Sequence, residues 1–448
     1  MSVSRFINIR GALFTTGFAF GGVGLIRLAS SLTLTRILTP AAFGVIAVLM
    51  SVVFVVEMLG DIGIKAYIVR QKNGDNPLYL NTAWTLHFLR ACVNFLFLLI
   101  SAPLIAEWFY HLPDLATPLR VFSLYFLIGG LESMAFPLAV RHKKVHIVNY
   151  LELAITAAST VFAITYCHFS RDYWGMLWSI LLGRLLYTIA SYCFYRESRP
   201  RLTWDPDVAR DIFRFTRITA PSSLLTLGTN QFDKFIFLRI FDLPLLGMYG
   251  VAGGIVGPIE GLIARISQTV LYPRCTFNFR TDPASFLAKY YSQNIAVFIA
   301  ILGIPAAIAG AASLVIHVIY PTRYAGVSAI LQALMLRATV LGLCSPAEEM
   351  LVAAGQTRVM LVGNILRMTW TIAGSLTGYY FFGFTGFIYG IALNGVLPLL
   401  YFYSRQHKSH LIVWRYEAYK IMFAVAVGSL SFATSSLILT TFTLPSRG

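Results

Sequence analysis

The feature that most constrains this chain is a succession of about thirteen long apolar stretches separated by short polar turns. They run over residues 11–35, 43–64, 81–108, 119–140, 147–169, 173–195, 216–238, 245–271, 289–319, 325–354, 359–382, 385–403 and 416–442. A helix needs about 20 mostly apolar residues to cross a bilayer. Only helices and closed barrels satisfy every backbone polar group there, and stretches of this length select helices. The sequence therefore predicts an all-α polytopic membrane protein with about 13 transmembrane helices, within a range of 12–14. Composition agrees. Hydrophobic residues make up 57% of the 448 and charged residues only 12%, about half the share of soluble domains.

The net charge of +16 would raise the question of nucleic acid in a soluble chain. Here most bases sit in short loops on one side, in groups such as Arg141, Lys143, Lys144 and Arg210, Arg214, Arg217. That asymmetry places the N-terminus and these loops in the cytoplasm, and no nucleic-acid partner is expected. Arg5 and Arg10 precede an apolar run as in a signal peptide. The run contains Arg27 and shows no compelling cleavage site, so it reads as a retained helix.

An internal repeat organises the chain. Arg36 precedes Gly44 by eight residues and Glu57 by twenty-one; Arg239 precedes Gly247 and Glu260 by the same intervals. Pro40 and Pro244 lie between each arginine and its glycine. Six stretches precede a polar linker and six follow it before the extra thirteenth, so the two halves share one orientation. The expected organisation is an N-terminal lobe over 1–195, a cytoplasmic linker over 196–217, a C-terminal lobe over 218–404 and an extra C-terminal helix over 405–448. Such a duplication is typical of transporters. In the linker, Asp205 followed by Pro206 starts a helix. Val208, Ile212 and Phe215 share its apolar face beside Arg210, Arg214 and Arg217, giving an amphipathic surface helix.

Seven bases fall inside predicted spans and away from their ends: Arg27, Arg90, Arg184, Lys234, Arg265, Arg337 and Arg367. A central charge costs about 3 kcal/mol on insertion scales, so seven lipid-facing charges are implausible. Arg27, Arg184, Lys234 and Arg337 are the hardest to bring to the surface, with Arg90 and Arg367 partly able to snorkel. Two readings are open. The bases form salt bridges that hold helices in register, or they line a hydrated cavity for an anion, whose oxygens suit the guanidinium fork. Glu57, Glu132, Asp233 and Glu260 are the acids at depth, candidates for ion coupling or charge pairing. Glycines repeat at four-residue spacing in Gly253/Gly257/Gly261, Gly374/Gly378 and Gly386/Gly390, the pattern of closely packed helices.

No catalytic motif stands out. There is no Gly-Lys dipeptide and hence no Walker A loop, and no HExxH. The five cysteines are scattered, which argues against disulfide or metal frameworks. No cofactor or metal is expected, and the chain does not read as an enzyme.

The segment Arg36-x-Leu38-x-Pro40-x-x-Phe43-Gly44, followed by Asp61-x-Gly63, resembles the N-terminal pattern of Wzx-type polysaccharide flippases of the multidrug/oligosaccharidyl-lipid/polysaccharide exporter superfamily. The resemblance implies two parallel six-helix lobes in a V around a central cavity that opens alternately to either side. It implies a polyprenyl-diphosphate-linked oligosaccharide as substrate, membrane lipids as surroundings, and the bacterial inner membrane as location. A polymerase, a chain-length regulator and a coupling ion (H+ or Na+) are the partners it suggests. Thirteen helices depart from the twelve or fourteen common in that family. A lipid II flippase, an ion-coupled multidrug exporter and, more distantly, a membrane glycan polymerase or ligase are the competing readings.

Overall fold

A computed structural model describes residues 21–60, 63–71, 74–142, 144–194, 200–217, 237 and 240–443, and every regular element among them is a helix. Eight helices are long and apolar enough to cross a membrane, or up to ten spans if each of two bent pairs counts as one. The chain is a multi-pass helical membrane protein. Most of the seventh apolar stretch, including Asp233 and Lys234, lies outside the described residues. The chain forms two compact units, one of residues up to 227 with 234–247, the other of 228–233 with 248–448.

The first unit begins with α1 (residues 21–37) and α2 (Pro40–Leu59). Pro40 starts α2, where a missing N–H costs nothing. Leu34, Leu38 and Ala42 bury against Ala163, Cys167 and Met176 of α8 (Val145–Ser170) and α9 (Trp174–Phe194). Both repeat glycines sit at close approaches. A Cβ on Gly44 would run into the Leu243 carbonyl, and one on Gly247 into the Pro40 carbonyl. Between α2 and α9 lie α3 (Ile64–Arg70), α4 (Pro77–Leu104), α5 (Ala116–Phe122), α6 (Leu124–Gly130) and α7 (Ala135–Arg141). Asn76 caps α4, its Oδ1 accepting from the Leu78 N–H at 2.9 Å.

The α3 end is closed from a distance. Arg141 Nη1 donates to the carbonyls of Ile68, Val69 and Gln71, and its Nε to Asp75 at 2.9 Å. That hydrogen bond holds the Asp75 carboxyl below the usual carboxylate range. Helix α10 (residues 206–217) completes this end of the unit, with Val208, Ala209 and Ile212 buried among Ile64, Tyr67 and Trp84.

The second unit contains most of α11 (Leu243–Ile266), then α12 (Tyr272–Thr281), α13 (Phe286–Gln293), α14 (Ile295–Gly310), α15 (Ala312–Ile319), α16 (Val327–Ala353), α17 (Arg358–Ala392), α18 (Val396–Lys408) and α19 (Trp414–Thr443). α13 and α14 meet at 51°. α17 folds back on itself at Gly383, whose φ of 59° and ψ of −139° suit glycine. Its arms come into backbone contact: a Cβ on Gly378 would meet the Gly386 carbonyl, and one on Gly390 the Gly374 carbonyl. The glycine pairs read as packing faces are the two sides of this hairpin. The C-terminal helix α19 is not peripheral to its unit. Ser431 and Ser435 donate to the Ala307 and Gly310 carbonyls of α14 at 2.7 and 3.2 Å, and Gly310 leaves no room for a side chain beside Gly428.

The hairpin makes a direct prediction. Gly378→Ala forces the α17 arms apart and costs about 1–3 kcal/mol, read as a lower unfolding temperature in detergent. An unchanged temperature would contradict the backbone contact.

Candidate functional site

The spans carry their charges in small clusters, and the first is built on a helix break. α6 ends at Gly130, α7 starts at Ala135, and the helix bends by 53° between them. A break leaves orphan carbonyls and N–H groups, which cost several kcal/mol each in hydrocarbon. α9 supplies most of the partners. Thr188 donates to the Ile128 carbonyl (3.0 Å) and Tyr192 to the Leu131 carbonyl (2.6 Å). Ser191 accepts from the Ser133 N–H (2.9 Å), while the Ser133 hydroxyl donates to the Ser191 carbonyl (2.8 Å). His87 Nε2 lies 3.2 Å from the Gly129 carbonyl.

Glu132 sits in this break and is only 1% exposed. Lys65 Nζ lies 3.0 and 3.2 Å from its two oxygens, and Arg184 Nη1 lies 3.5 Å away. The Lys65 side chain is half exposed, so its charge keeps some contact with the surroundings. The Arg184 guanidinium also lies over the Tyr125 ring, 5.0 Å from its centre. Gly129 makes this position available, since a Cβ there would occupy the guanidinium's place. Glu57 is half-buried on α2, and Arg184 and Tyr125 both feel its charge. Arg184, Glu132 and Glu57 thus belong to one electrostatic neighbourhood.

Arg90 serves a different end. Its Nη1 donates to the Gly60 carbonyl at 3.2 Å, a cation closing the C-terminus of α2. Arg27 is exposed on α1. In the second unit Arg337 of α16 meets Glu260 of α11 through a two-pronged pair, Nε–Oε1 2.8 Å and Nη2–Oε2 3.1 Å. Both side chains are half-buried. Arg367 on α17 is half-buried and lies close enough for its charge to act on Glu348. Among the four deep acids, Glu132 and Glu260 form ion pairs, while Asp233, like Lys234, falls outside the described residues.

Two bases outside the seven at depth also form charge clusters. Lys65 is one. The other is Lys420, which pairs with Glu417 at 2.7 Å and lies 4.0 Å from the centre of the Phe298 ring. Glu417 is buried and accepts from the Tyr291 and Tyr403 hydroxyls at 2.9 and 2.8 Å. The Glu417-x-x-Lys420 spacing on one helix face was the available signal. No group of three or more potential metal ligands occurs among the described residues.

Chemically, these clusters pair buried and half-buried charges. Removing the Glu132 charge leaves Arg184 short of its counter-ion, a loss on the order of 3–5 kcal/mol for a buried pair. Glu132→Gln lowers the unfolding temperature in detergent, and adding Arg184→Met restores part of it. A single variant as stable as the parent would show that the pair does not hold the break.

The sequence matches the family described as "Polysaccharide biosynthesis protein" over residues 33–329. It is 20% identical over 392 residues to the lipopolysaccharide biosynthesis protein WzxC of Escherichia coli (strain K12), covering 85% of this chain and 77% of that one. It is 22% identical over 243 residues to the succinoglycan biosynthesis transport protein ExoT of Rhizobium meliloti (strain 1021), covering 54% and 48%. Among solved structures, the inward closed conformation of the lipid II flippase MurJ superposes with a TM-score of 0.73 at 12% identity, over 95% of this chain and 99% of that one. An inward-facing multidrug resistance MATE family transporter of the MOP superfamily gives 0.61 at 14% identity, over 86% and 94%. At these identities the structural likeness establishes the fold.

Proposed function

We propose, for a chain that belongs to the polysaccharide biosynthesis protein family, that it is a Wzx-type flippase of the MOP superfamily. Its cargo is a polyprenyl-diphosphate-linked oligosaccharide, carried from the cytoplasmic to the periplasmic leaflet by alternating access. The process served is exopolysaccharide, capsule or O-antigen biosynthesis at the bacterial inner membrane, with the N-terminus in the cytoplasm. The observation that carries this reading is the joint one of family and charge. The relatives are named for polysaccharide biosynthesis and transport, and the spans of this chain carry arginines suited to a diphosphate.

The ion pairs give these arginines defined roles. Arg27, exposed on α1, is the first anchor for the diphosphate. Arg337 is held by Glu260, and the cargo's diphosphate competes with that carboxylate for the guanidinium. Arg184 has the same relation to Glu132, with Lys65 retaining part of the acid's charge balance. Arg90 is a helix cap and belongs to the frame. Arg367 and Lys234 are further candidates for the cargo's anionic groups. Lipid II is a competing cargo because the MurJ flippase shares the fold. It carries the same diphosphate and differs in the glycan.

Binding to the purified protein tests the reading. A polyprenyl-diphosphate trisaccharide binds more tightly than the monophosphate-linked glycan. Arg27→Ala and Arg337→Ala each weaken the diphosphate ligand by roughly tenfold, the scale of one charged hydrogen bond, without changing membrane insertion. Equal affinity for the two lipids, or preferential binding of cationic dyes, would overturn it in favour of a drug exporter. Tighter binding of lipid II than of other diphosphate-linked glycans would move the cargo to the cell-wall precursor.

A further inference from the structure

Residues 200–217 form a surface whose outward face has no explanation in the transport reading. The segment is fixed twice. Residues 200–204 run along the first turns of α4, where the Arg201 N–H donates to Asn81 Oδ1 and the Thr203 N–H to Thr85 Oγ1, each at 3.1 Å. Asp205 then caps α10, its Oδ1 accepting from the N–H groups of Asp207 (2.9 Å) and Val208 (3.0 Å). The apolar side of α10 is spent on the unit's own core, with Val208, Ala209 and Ile212 all buried. A peripheral amphipathic helix usually turns that side to the membrane; here it is already occupied.

What remains outside is unusual for a water-facing loop. Leu202 is 74% exposed, Trp204 54% and Phe213 51%. Arg210, Arg214 and Arg217 are exposed on the same outward arc of α10 as Phe213, by their spacing of three, four and seven. Asp207 pairs with Arg210 at 3.1 Å and offsets one of these charges. Arg201 is exposed in the preceding segment, and Arg70 lies 5.8 Å from the centre of the Phe215 ring. Large apolar side chains interleaved with arginines are at home at the boundary of acyl chains and headgroups. The anchors put the segment at that depth. Asn81 and Thr85 lie in the first turns of an apolar span, and exposed Leu78 and Leu89 flank them on α4.

We propose that the outer face of residues 200–217 binds anionic phospholipid headgroups. Trp204, Leu202 and Phe213 enter the interface, and Arg210, Arg214 and Arg217 meet the lipid phosphates. The occupant follows from charge: the arc carries more bases than acids, and a bilayer already adjoins α4. The face binds the surrounding membrane rather than the transported cargo, and so fixes this end of the first unit in the plane of the leaflet. Which leaflet is involved rests on the topology proposed above; the binding itself does not.

The test is native mass spectrometry of the full chain in detergent with phosphatidylglycerol or phosphatidylcholine added. The parent retains phosphatidylglycerol preferentially, and the preference falls as salt rises. The variant Arg210→Gln/Arg214→Gln/Arg217→Gln loses retention by roughly fivefold per arginine, the effect of one basic residue near an anionic surface. Its unfolding temperature in lipid-free detergent checks that it is folded. Should it fail to fold, quenching by brominated phosphatidylglycerol decides: the parent is quenched, and Trp204→Phe loses part of that quenching. Equal retention of both lipids by the parent, or unchanged retention by the folded triple variant, would overturn the proposal. So would Trp204→Phe quenched as strongly as the parent. The leaflet is read separately, by whether an impermeant maleimide labels Arg210→Cys more than the parent in intact cells.

Discussion

Everything in the first unit turns on one carboxylate. Glu132 lies in the gap between α6 and α7 with 1% of its surface exposed, where an unpaired negative charge could not persist. Lys65 comes from the short helix after α2, and Arg184 from α9. The pair thus ties three parts of the chain to a single point. The same gap strips the backbone of its helical hydrogen bonds, and Thr188, Ser191 and Tyr192 of α9 replace them. A polar row on α9 that would be costly against lipid is the complement of a broken helix. Charge pairing and backbone repair are one structural solution here.

Much of this could be read from the residues because the bilayer leaves few choices. Apolar length alone predicts the helices, and glycine spacing marks a close approach in α17 but not in α11, where a Cβ on Gly253 or Gly257 would meet no described residue within 4 Å. Gly374/Gly378 and Gly386/Gly390 proved to be two arms of one hairpin turning at Gly383. The repeated Gly44 and Gly247 are close-approach points. Pairing was less legible. Hydropathy assigns Lys65 to a loop because it follows the apolar run. Gly63 then adopts a left-handed φ of 61°, and α3 begins there with Lys65 at its second position. The place of Lys420 is hidden for a related reason. A lysine near a helix start looks solvated until Tyr291, Tyr403 and Phe298, distant in sequence, close around it. Arg337 and Glu260 are 77 residues apart, so no local pattern joins them. The break at Glu132 carries no proline or glycine at its centre, only Leu131 to Met134, and a continuous span was the natural expectation.

Pairing also changes how the intramembrane arginines are understood. Read as isolated bases, they describe a standing positive field. In the structure Arg184 and Arg337 each have an acid in their own unit, and Arg90 has a carbonyl. Under the proposed function, an anionic cargo competes with a resident carboxylate for the same guanidinium. Such competition gives a transporter a means of release as well as capture, because binding that is too strong in one state blocks the next. The C-terminal helix contributes differently. The Glu417–Lys420 cluster and the serine contacts to α14 fasten it at several levels, which makes it part of the frame of the second unit.

Translocation itself is the most direct measurement of this account. The purified protein is placed in liposomes carrying a fluorescent polyprenyl-diphosphate oligosaccharide on one leaflet, and a glycosidase is added to the opposite side. The account predicts protein-dependent exposure of the glycan to the enzyme, with the oligosaccharide unchanged in length. Protein-dependent lengthening of the glycan, or no exposure with a protein that binds the lipid normally, would contradict it.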